Sequence, residues 1–160
     1  MNRRVCSEFV RRLALVLVCS AAFVVGSTLT EAEPDQAIAL TADASALRWE
    51  PCPPLFATGC EIAILQGLPS EANADVFFKV PPSYRIPPHW HTSAERMVLV
   101  SGELHVTYHG QATAKLVAGT YAYGPAKAPH KAVCASEVDC VLFIAFESPV
   151  DAHPFEGAFE

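Results

Sequence analysis

Two histidines and a glutamate within one short segment have the types and the spacing of metal ligands. His89 and His91 are separated by one residue, and Glu95 follows four residues after His91. Alternate side chains of a strand point to the same face, so an extended segment would place all three together. Imidazole nitrogens and carboxylate oxygens bind divalent transition metals. A fourth ligand is expected from another strand, and His130 is the best placed residue for that role.

Short strands are the elements that would position these ligands. The segments are rich in β-branched and aromatic residues, and turns containing Pro, Gly or Ser separate them. They cover residues 61–65, 75–80, 96–101, 104–108, 112–117, 131–134 and 141–147. Many short strands without a convincing amphipathic helix predict an all-β antiparallel sandwich or barrel. Residues 141–146 are apolar on both sides, which is typical of a strand between two layers.

The N-terminal segment has the pattern of a secretory signal peptide. Four arginines within residues 3–12 precede an uncharged apolar run over residues 13–25. That run is shorter than the roughly 18–20 residues that span a bilayer, so a mature membrane span is not expected. An uncleaved anchor and a twin-arginine signal are the alternatives. The expected organisation is a signal peptide (1–32), an N-terminal arm (33–58), a barrel (59–150) and a C-terminal tail (151–160), in a periplasmic or secreted protein.

The net charge and the cysteine content indicate which partners to expect and in which cellular compartment the protein works. The formal net charge is −6, and the mature region contains no basic cluster, so nucleic acid is not an expected partner. An even number of cysteines after the leader favours disulfides in an exported chain. The short separations predict the pairs Cys52–Cys60 and Cys134–Cys140. A zinc site is the competing interpretation, but neither pair has the spacing of structural zinc ligands.

At this point the sequence resembles the cupin superfamily through both of its motifs. The first motif is matched by His89, His91, Glu95 and Gly102, with Ser83 at the position of its leading glycine. The second motif is matched by Gly119, Pro125 and His130, with Lys127 and Cys134 in place of a glycine and an asparagine. An isolated His-x-His pair beside prolines is more typical of surface or hydrogen-bonded histidines. The paired motifs favour a metal site instead.

The resemblance implies a single cupin-type β-barrel, a double-stranded antiparallel jelly roll with a metal in its mouth. It implies iron, manganese, nickel, copper or zinc as the divalent metal, and a small-molecule ligand or substrate chelated to it. The predicted function is a metal-dependent dioxygenase-like oxidoreductase, with an oxalate-oxidase-like activity as one form. The alternative is a non-catalytic metal or small-ligand binding module. The resemblance also implies that two copies of the barrel can pair as a homodimer.

Four further residues are predicted to line the pocket around this metal. Met97 and Leu99 share the parity of Glu95 along their strand and are expected to face the same cavity. Tyr123 and Phe143 are the aromatic candidates. The sequence pattern indicates no general base or nucleophile outside the four ligands, so the catalytic residues are not assigned.

Overall fold

The computed structural model describes residues 36–159, which form strands and turns and contain no helix. The predicted signal peptide over residues 1–32 lies outside the described residues. The strands are β1 (Glu50–Pro51), β2 (Glu61–Gln66), β3 (Ala74–Val80), β4 (Arg85–Trp90), β5 (Glu95–Ser101), β6 (Glu103–Tyr108), β7 (Ala114–Val117), β8 (Tyr121–Gly124), β9 (His130–Cys134), β10 (Cys140–Phe146) and β11 (His153–Pro154).

The strands form two antiparallel sheets in a jelly roll, and the all-β cupin-type prediction is confirmed. The larger sheet has the order β1-β2-β3-β10-β5-β8, and the smaller has the order β11-β4-β9-β6-β7. Their inner faces form the main core, with Leu99 and Leu142 from the larger sheet against Leu104 and Val106 from the smaller. Among the described residues, none belongs to a helix long and apolar enough to cross a membrane.

β10 is apolar on both sides because it lies in the middle of the larger sheet and each of its faces is covered. Leu142, Ile144 and Phe146 point into the main core. Phe143 points to the outer face, where it packs edge-on against Phe77 with ring centroids 6.4 Å apart. Residues of the N-terminal arm, among them Trp49, cover the same outer face. The assignment of Phe143 to the metal pocket is therefore corrected, since its parity is opposite to that of the inward side chains.

Two disulfides fasten the ends of the barrel. Cys134–Cys140 joins the end of β9 in one sheet to the start of β10 in the other, and both cysteines are fully buried. Cys52–Cys60 closes a loop between β1 and β2. Both pairs are those predicted from the short separations, and they fit an oxidising extracellular compartment.

Two residues that replace motif glycines adopt a backbone conformation that favours glycine. Ser83 has φ 63° and Lys127 has φ 60°, both in the left-handed region. Side chains other than glycine are strained there, so both turns hold their shape at some cost in local energy. Lys127 is kept in place by its N–H, which donates to the carbonyl of His91 at 2.7 Å. The turn next to the histidines therefore keeps its shape although Lys127 stands at the position of a motif glycine.

Candidate metal centre

The four predicted ligands converge from both sheets at one end of the barrel. His89 lies on β4 and His130 on β9, and the two residues are paired in register. Glu95 is the first residue of β5 in the opposite sheet, and His91 lies in the connection between β4 and β5. All four side chains are buried. The sequence patterns thus identify residues that the fold brings together.

The reason for this convergence differs from the one the spacing predicts. Glu95 does not share a strand with the histidines, because the chain leaves β4 after Trp90 and enters the other sheet at Glu95. Ser93 fixes the turn between them, since its hydroxyl accepts the backbone N–H groups of Glu147 at 2.8 Å and Ser148 at 3.0 Å. Crossing between the sheets, rather than strand parity, therefore aims Glu95 at the histidines.

Backbone carbonyls fix the orientation of all three imidazoles. The Nδ1 of His89 is 2.7 Å from the carbonyl oxygen of Pro87, and that of His130 is 3.1 Å from the carbonyl oxygen of Ala128. The Nδ1 of His91 contacts the carbonyl oxygen of Asp151. A carbonyl only accepts, so each Nδ1 carries the proton and each Nε2 keeps a free lone pair. This is the second-layer arrangement that orients metal-binding histidines.

The distances between the ligand atoms fit a single divalent ion. Ring nitrogens of His89, His91 and His130 lie within 4.8 Å of one another. The Glu95 carboxylate is 3.4 Å from the Nε2 of His91 and 3.7 Å from the Nε2 of His130. Two donors that each lie about 2.1 Å from one ion are at most about 4.2 Å apart, so both gaps to Glu95 fit an ion, and a gap between imidazoles near the 4.8 Å limit would close by about 0.6 Å on binding. The site therefore has the donors, the separations and the tautomers of a site for a divalent transition metal.

Burial sets the charges of the ligands. Desolvation, with the neighbouring imidazoles, lowers the pKa of His89 to about 3, and desolvation lowers the pKa of His130 to about 4. Burial also lowers the pKa of His91 and raises the pKa of Glu95 to about 8. The imidazoles are thus neutral, the form that binds metals. No lysine or arginine of residues 36–159 lines this pocket, so a bound cation would be the group that stabilises the ionised form of Glu95.

The ligands face an apolar cavity of about 110 Å³ between the two sheets. Its walls are aliphatic and aromatic side chains, among them Val76, Phe78, Ile86, Met97, Leu104, Val106, Leu142, Ile144 and Phe146. Of the predicted pocket residues, Met97 lies in the wall. Leu99 is buried in the core away from the cavity, and Tyr123 is 51% exposed on β8. The pocket assignment of Leu99 and Tyr123 is therefore corrected along with that of Phe143.

Three pocket residues were not among those predicted from the sequence. Phe56, in the loop closed by Cys52–Cys60, packs edge-on against the His89 ring with centroids 5.2 Å apart. Tyr108 packs beside His130, and the burial of its hydroxyl and the nearby Glu95 raise its pKa. Asp151 belongs to the predicted tail. The predicted Cys52–Cys60 disulfide could have indicated that the loop containing Phe56 is held against the barrel. The Asp151 contact uses a backbone carbonyl, which any residue type carries, so the sequence gives no sign of it.

Removal of the C-terminal segment is expected to weaken metal binding. Truncation after Val150 deletes β11, which pairs with β4, and the Asp151 carbonyl that orients His91. Loss of such a supporting contact lowers metal affinity by about 10–100-fold. Isothermal titration with Zn²⁺ would measure it. Asp151→Ala is the matched control, because it keeps the carbonyl and loses only side-chain bonds such as that from the Thr92 N–H. Equal affinity of truncated and full-length chains would contradict this role.

Comparison with known proteins agrees with the fold. The family model described as the ChrR cupin-like domain matches residues 38–149. No curated protein matches the sequence. Among solved structures, the polyketide cyclase RemF from Streptomyces resistomycificus is 18% identical, with a TM-score of 0.61 over 76% of this chain and 88% of that one.

Two further structures show the same fold at low identity. An RmlC-like cupin from Shewanella frigidimarina is 23% identical, with a TM-score of 0.54 over 66% of this chain and 86% of the other. A structure of the DMSP lyases RdDddP and RnDddQII is 18% identical, with a TM-score of 0.59 over 69% of this chain. This chain covers 63% of that lyase chain. At these identities the likeness is one of fold.

Proposed function

The chain belongs to the family of ChrR cupin-like domains, and from this premise we propose that it is an exported metal-dependent oxidoreductase of the dioxygenase type. Its substrate would be a small, largely apolar molecule that chelates the metal through oxygen atoms. The observation that carries the proposal is the placement of three neutral imidazoles and one carboxyl at the wall of a partly enclosed apolar cavity. Such a site is a metal-binding cupin centre with room for a second ligand.

The cavity sets the size of the proposed substrate. Its volume of about 110 Å³ is close to that of the roughly 150 Å³ apolar cavity that binds benzene. At about three quarters of that volume, the cavity holds most of a ligand of about six non-hydrogen atoms, and a slightly larger chelator such as acetylacetone would extend into its open side. Phe56 covers one side of this space through its contact with His89.

The walls set the charge of the proposed substrate. No lysine or arginine from the described part of the chain lines the cavity. Oxalate chelated through one oxygen of each carboxylate would leave its other two charged oxygens against aliphatic walls with no cationic side chain beside them, and burying unpaired charge there is strongly unfavourable. This argues against the oxalate-oxidase-like form of the activity. Neutral or singly charged molecules with adjacent or 1,3-related oxygens, such as β-diketones in their enol form, are the class that the pocket favours.

The protein groups around the centre have separable roles in this proposal. His89, His91, His130 and Glu95 would hold the ion, and a bound transition metal supplies Lewis acidity and, when redox-active, electron transfer. The carbonyl bonds to the Nδ1 atoms keep the imidazoles in place during binding. The apolar walls exclude water from the reacting groups, which strengthens the electrostatic interactions inside.

A non-catalytic binding module is the second candidate function. The observation that favours it is the apolar lining of the cavity, which contains no lysine or arginine of the described residues. In this alternative the same ligands and walls would hold a metal and a small molecule without turnover. Fold and metal alone do not choose between the two functions.

Activity assays with defined metals would test the proposal. The metal-free protein would be loaded separately with Fe²⁺, Mn²⁺, Ni²⁺, Cu²⁺ and Zn²⁺, and oxygen consumption would be followed with acetylacetone, catechol and oxalate. We expect oxygen-dependent turnover of a neutral chelator with a redox-active ion and none with oxalate. His130→Ala is the inactive control. Binding of the chelators without turnover for any metal would favour the binding module, and turnover of oxalate alone would overturn the substrate class.

Export is part of the same proposal. Two disulfides fit an oxidising compartment, and the predicted signal peptide would direct the chain to the periplasm or outside the cell. N-terminal sequencing of the protein recovered from that compartment would test it. A mature N-terminus near residue 33 is the expected result, and an intact leader on cytoplasmic protein would contradict it.

A further inference from the structure

We propose that the Tyr108 hydroxyl donates a hydrogen bond to an oxygen atom of the molecule bound in the metal pocket and so positions that molecule beside Glu95. The proposal rests on the function proposed above and deepens it. It adds one polar contact to a cavity whose walls, apart from the ligands and Asp151, are apolar. It also makes Tyr108 a residue that selects ligands with an oxygen acceptor.

The hydroxyl is buried and unpaired. Tyr108 ends β6 and continues the inward parity of Leu104 and Val106. Its ring lies beside that of His130, its register partner on β9, with centroids 4.9 Å apart. The hydroxyl oxygen is inaccessible to solvent and has no hydrogen-bond partner among the residues that the structure describes. Tyr108 is also one of the residues that line the cavity, so an unpaired donor lies in the pocket wall next to a metal ligand.

Gly124 provides the space in which this hydroxyl lies. Gly124 is the register partner of Glu95 on the neighbouring strand β8. A Cβ atom at Gly124 would overlap the Tyr108 hydroxyl and approach the Glu95 Oε2 to 3.0 Å. The backbone of Gly124 is not in the left-handed region, so turn geometry does not require glycine at this position. The absence of a side chain there instead lets the hydroxyl and the carboxyl approach the same point.

The contrast with Tyr84 shows that this fold pairs its other buried tyrosine. The Tyr84 hydroxyl donates to the carbonyl oxygen of Ala57 at 2.6 Å. An unpaired buried hydroxyl costs stability, whereas a phenylalanine of the same shape does not. Tyr108 thus adds no hydrogen bond to the folded chain, but would gain one when an oxygen acceptor enters the pocket. Tyr84 and Tyr108 form a matched pair for testing this difference.

Ligand binding to the Co²⁺-loaded protein would test the proposal, with acetylacetone as the probe and the visible absorption of Co²⁺ as the readout. We expect Tyr108→Phe to take up Co²⁺ at the wild-type stoichiometry and to bind acetylacetone about 10-fold more weakly, the effect of one hydrogen bond in a dry site. Its melting temperature should equal or exceed that of the wild type. Tyr84→Phe should bind the probe as the wild type does and melt at a lower temperature.

Gly124→Ala provides a second variant. The added methyl group should displace the Tyr108 hydroxyl, lower the melting temperature and weaken probe binding. Adding Tyr108→Phe to Gly124→Ala removes the overlapping oxygen, so part of the lost stability should return while probe binding stays weak. Recovery of probe binding in this double variant would overturn the role of the hydroxyl.

The possible failures are distinguishable. If the wild type takes up no Co²⁺, the proposed function fails and the role of Tyr108 fails with it. If the wild type binds Co²⁺ and acetylacetone, and Tyr108→Phe binds both equally well, only the role of Tyr108 is overturned. If the wild type binds Co²⁺ but no acetylacetone, the contact to this class of oxygen ligand is overturned while the metal centre stands.

Discussion

Replacing His130 with alanine is expected to lower the affinity for Zn²⁺ by more than about 100-fold, the upper range for loss of a supporting contact, because a direct ligand is lost. His130 is buried, and its Nε2 faces the Glu95 carboxyl at 3.7 Å. Alanine leaves that carboxyl with one fewer partner and opens a gap in the coordination sphere. Competition with a chromophoric chelator would measure the change in affinity.

His105→Ala is the matched control for this prediction. His105 lies on β6, next to the strand of His130, but its Nε2 bonds Glu103 at 2.8 Å, away from the cavity. We expect this variant to bind Zn²⁺ as the wild type does. Wild-type protein should also gain about 2.7 kcal/mol of stability at a metal concentration 100 times the Kd, and His130→Ala should not at the same concentration. Equal affinities of His130→Ala and wild type would exclude His130 as a ligand.

Replacing both Cys134 and Cys140 with alanine is expected to lower the free energy of unfolding by about 2–4 kcal/mol. The bond closes a short loop and joins β9 in one sheet to β10 in the other. Its sulfur atoms are fully buried, so the variant also leaves a small cavity in the core. Urea unfolding at equilibrium would measure the loss. His130 begins the strand that this disulfide fastens, so slower metal uptake is a further expected result.

Cys52→Ala with Cys60→Ala is the comparison for this prediction. That bond closes a loop of similar length, with a sequence separation of 8 rather than 6. It lies beside β1 and β2 at the edge of the larger sheet, does not link the two sheets, and is partly exposed at Cys52. If chain entropy alone sets the effect, the two losses should be equal. If burial and the link between the sheets contribute, as we expect, the loss for Cys134–Cys140 should be the larger. A larger loss for Cys52–Cys60 would contradict this assignment.

Side-chain chemistry and spacing were sufficient to predict four residues that the fold brings together in the candidate metal centre. His89, His91, Glu95 and His130 carry ligand atoms that few other roles would place in one register. Their approach to one another depends on the two sheets, and strand parity did not describe it. The prolines before His89 accompany a register shift between β4 and β9, because proline cannot donate to the ladder. Strand parity therefore cannot be counted across this register shift to predict which face a side chain takes.

The pocket walls were harder to predict because the strands that form them are short or buried on both faces. In β10 every residue from Val141 to Phe146 is apolar, so the pattern does not say which face Phe143 takes. β8 has four residues and is an edge strand of the larger sheet, where Tyr123 is exposed. Phe56 and the Asp151 carbonyl reach the centre through tertiary contacts. Contacts of this kind leave no repeating pattern in the sequence, so the sequence does not predict them.

X-ray absorption at the metal edge of the Zn²⁺-loaded protein tests the central claim most directly, because it reports the atoms bound to the ion. The account predicts about one ion per chain, with imidazole nitrogen and carboxylate oxygen neighbours near 2.0–2.2 Å and no sulfur, since the four cysteines of the described chain are in disulfides. His130→Ala should lose imidazole scattering or the ion itself. Sulfur neighbours near 2.3 Å, or a folded protein that takes up no metal, would contradict the account.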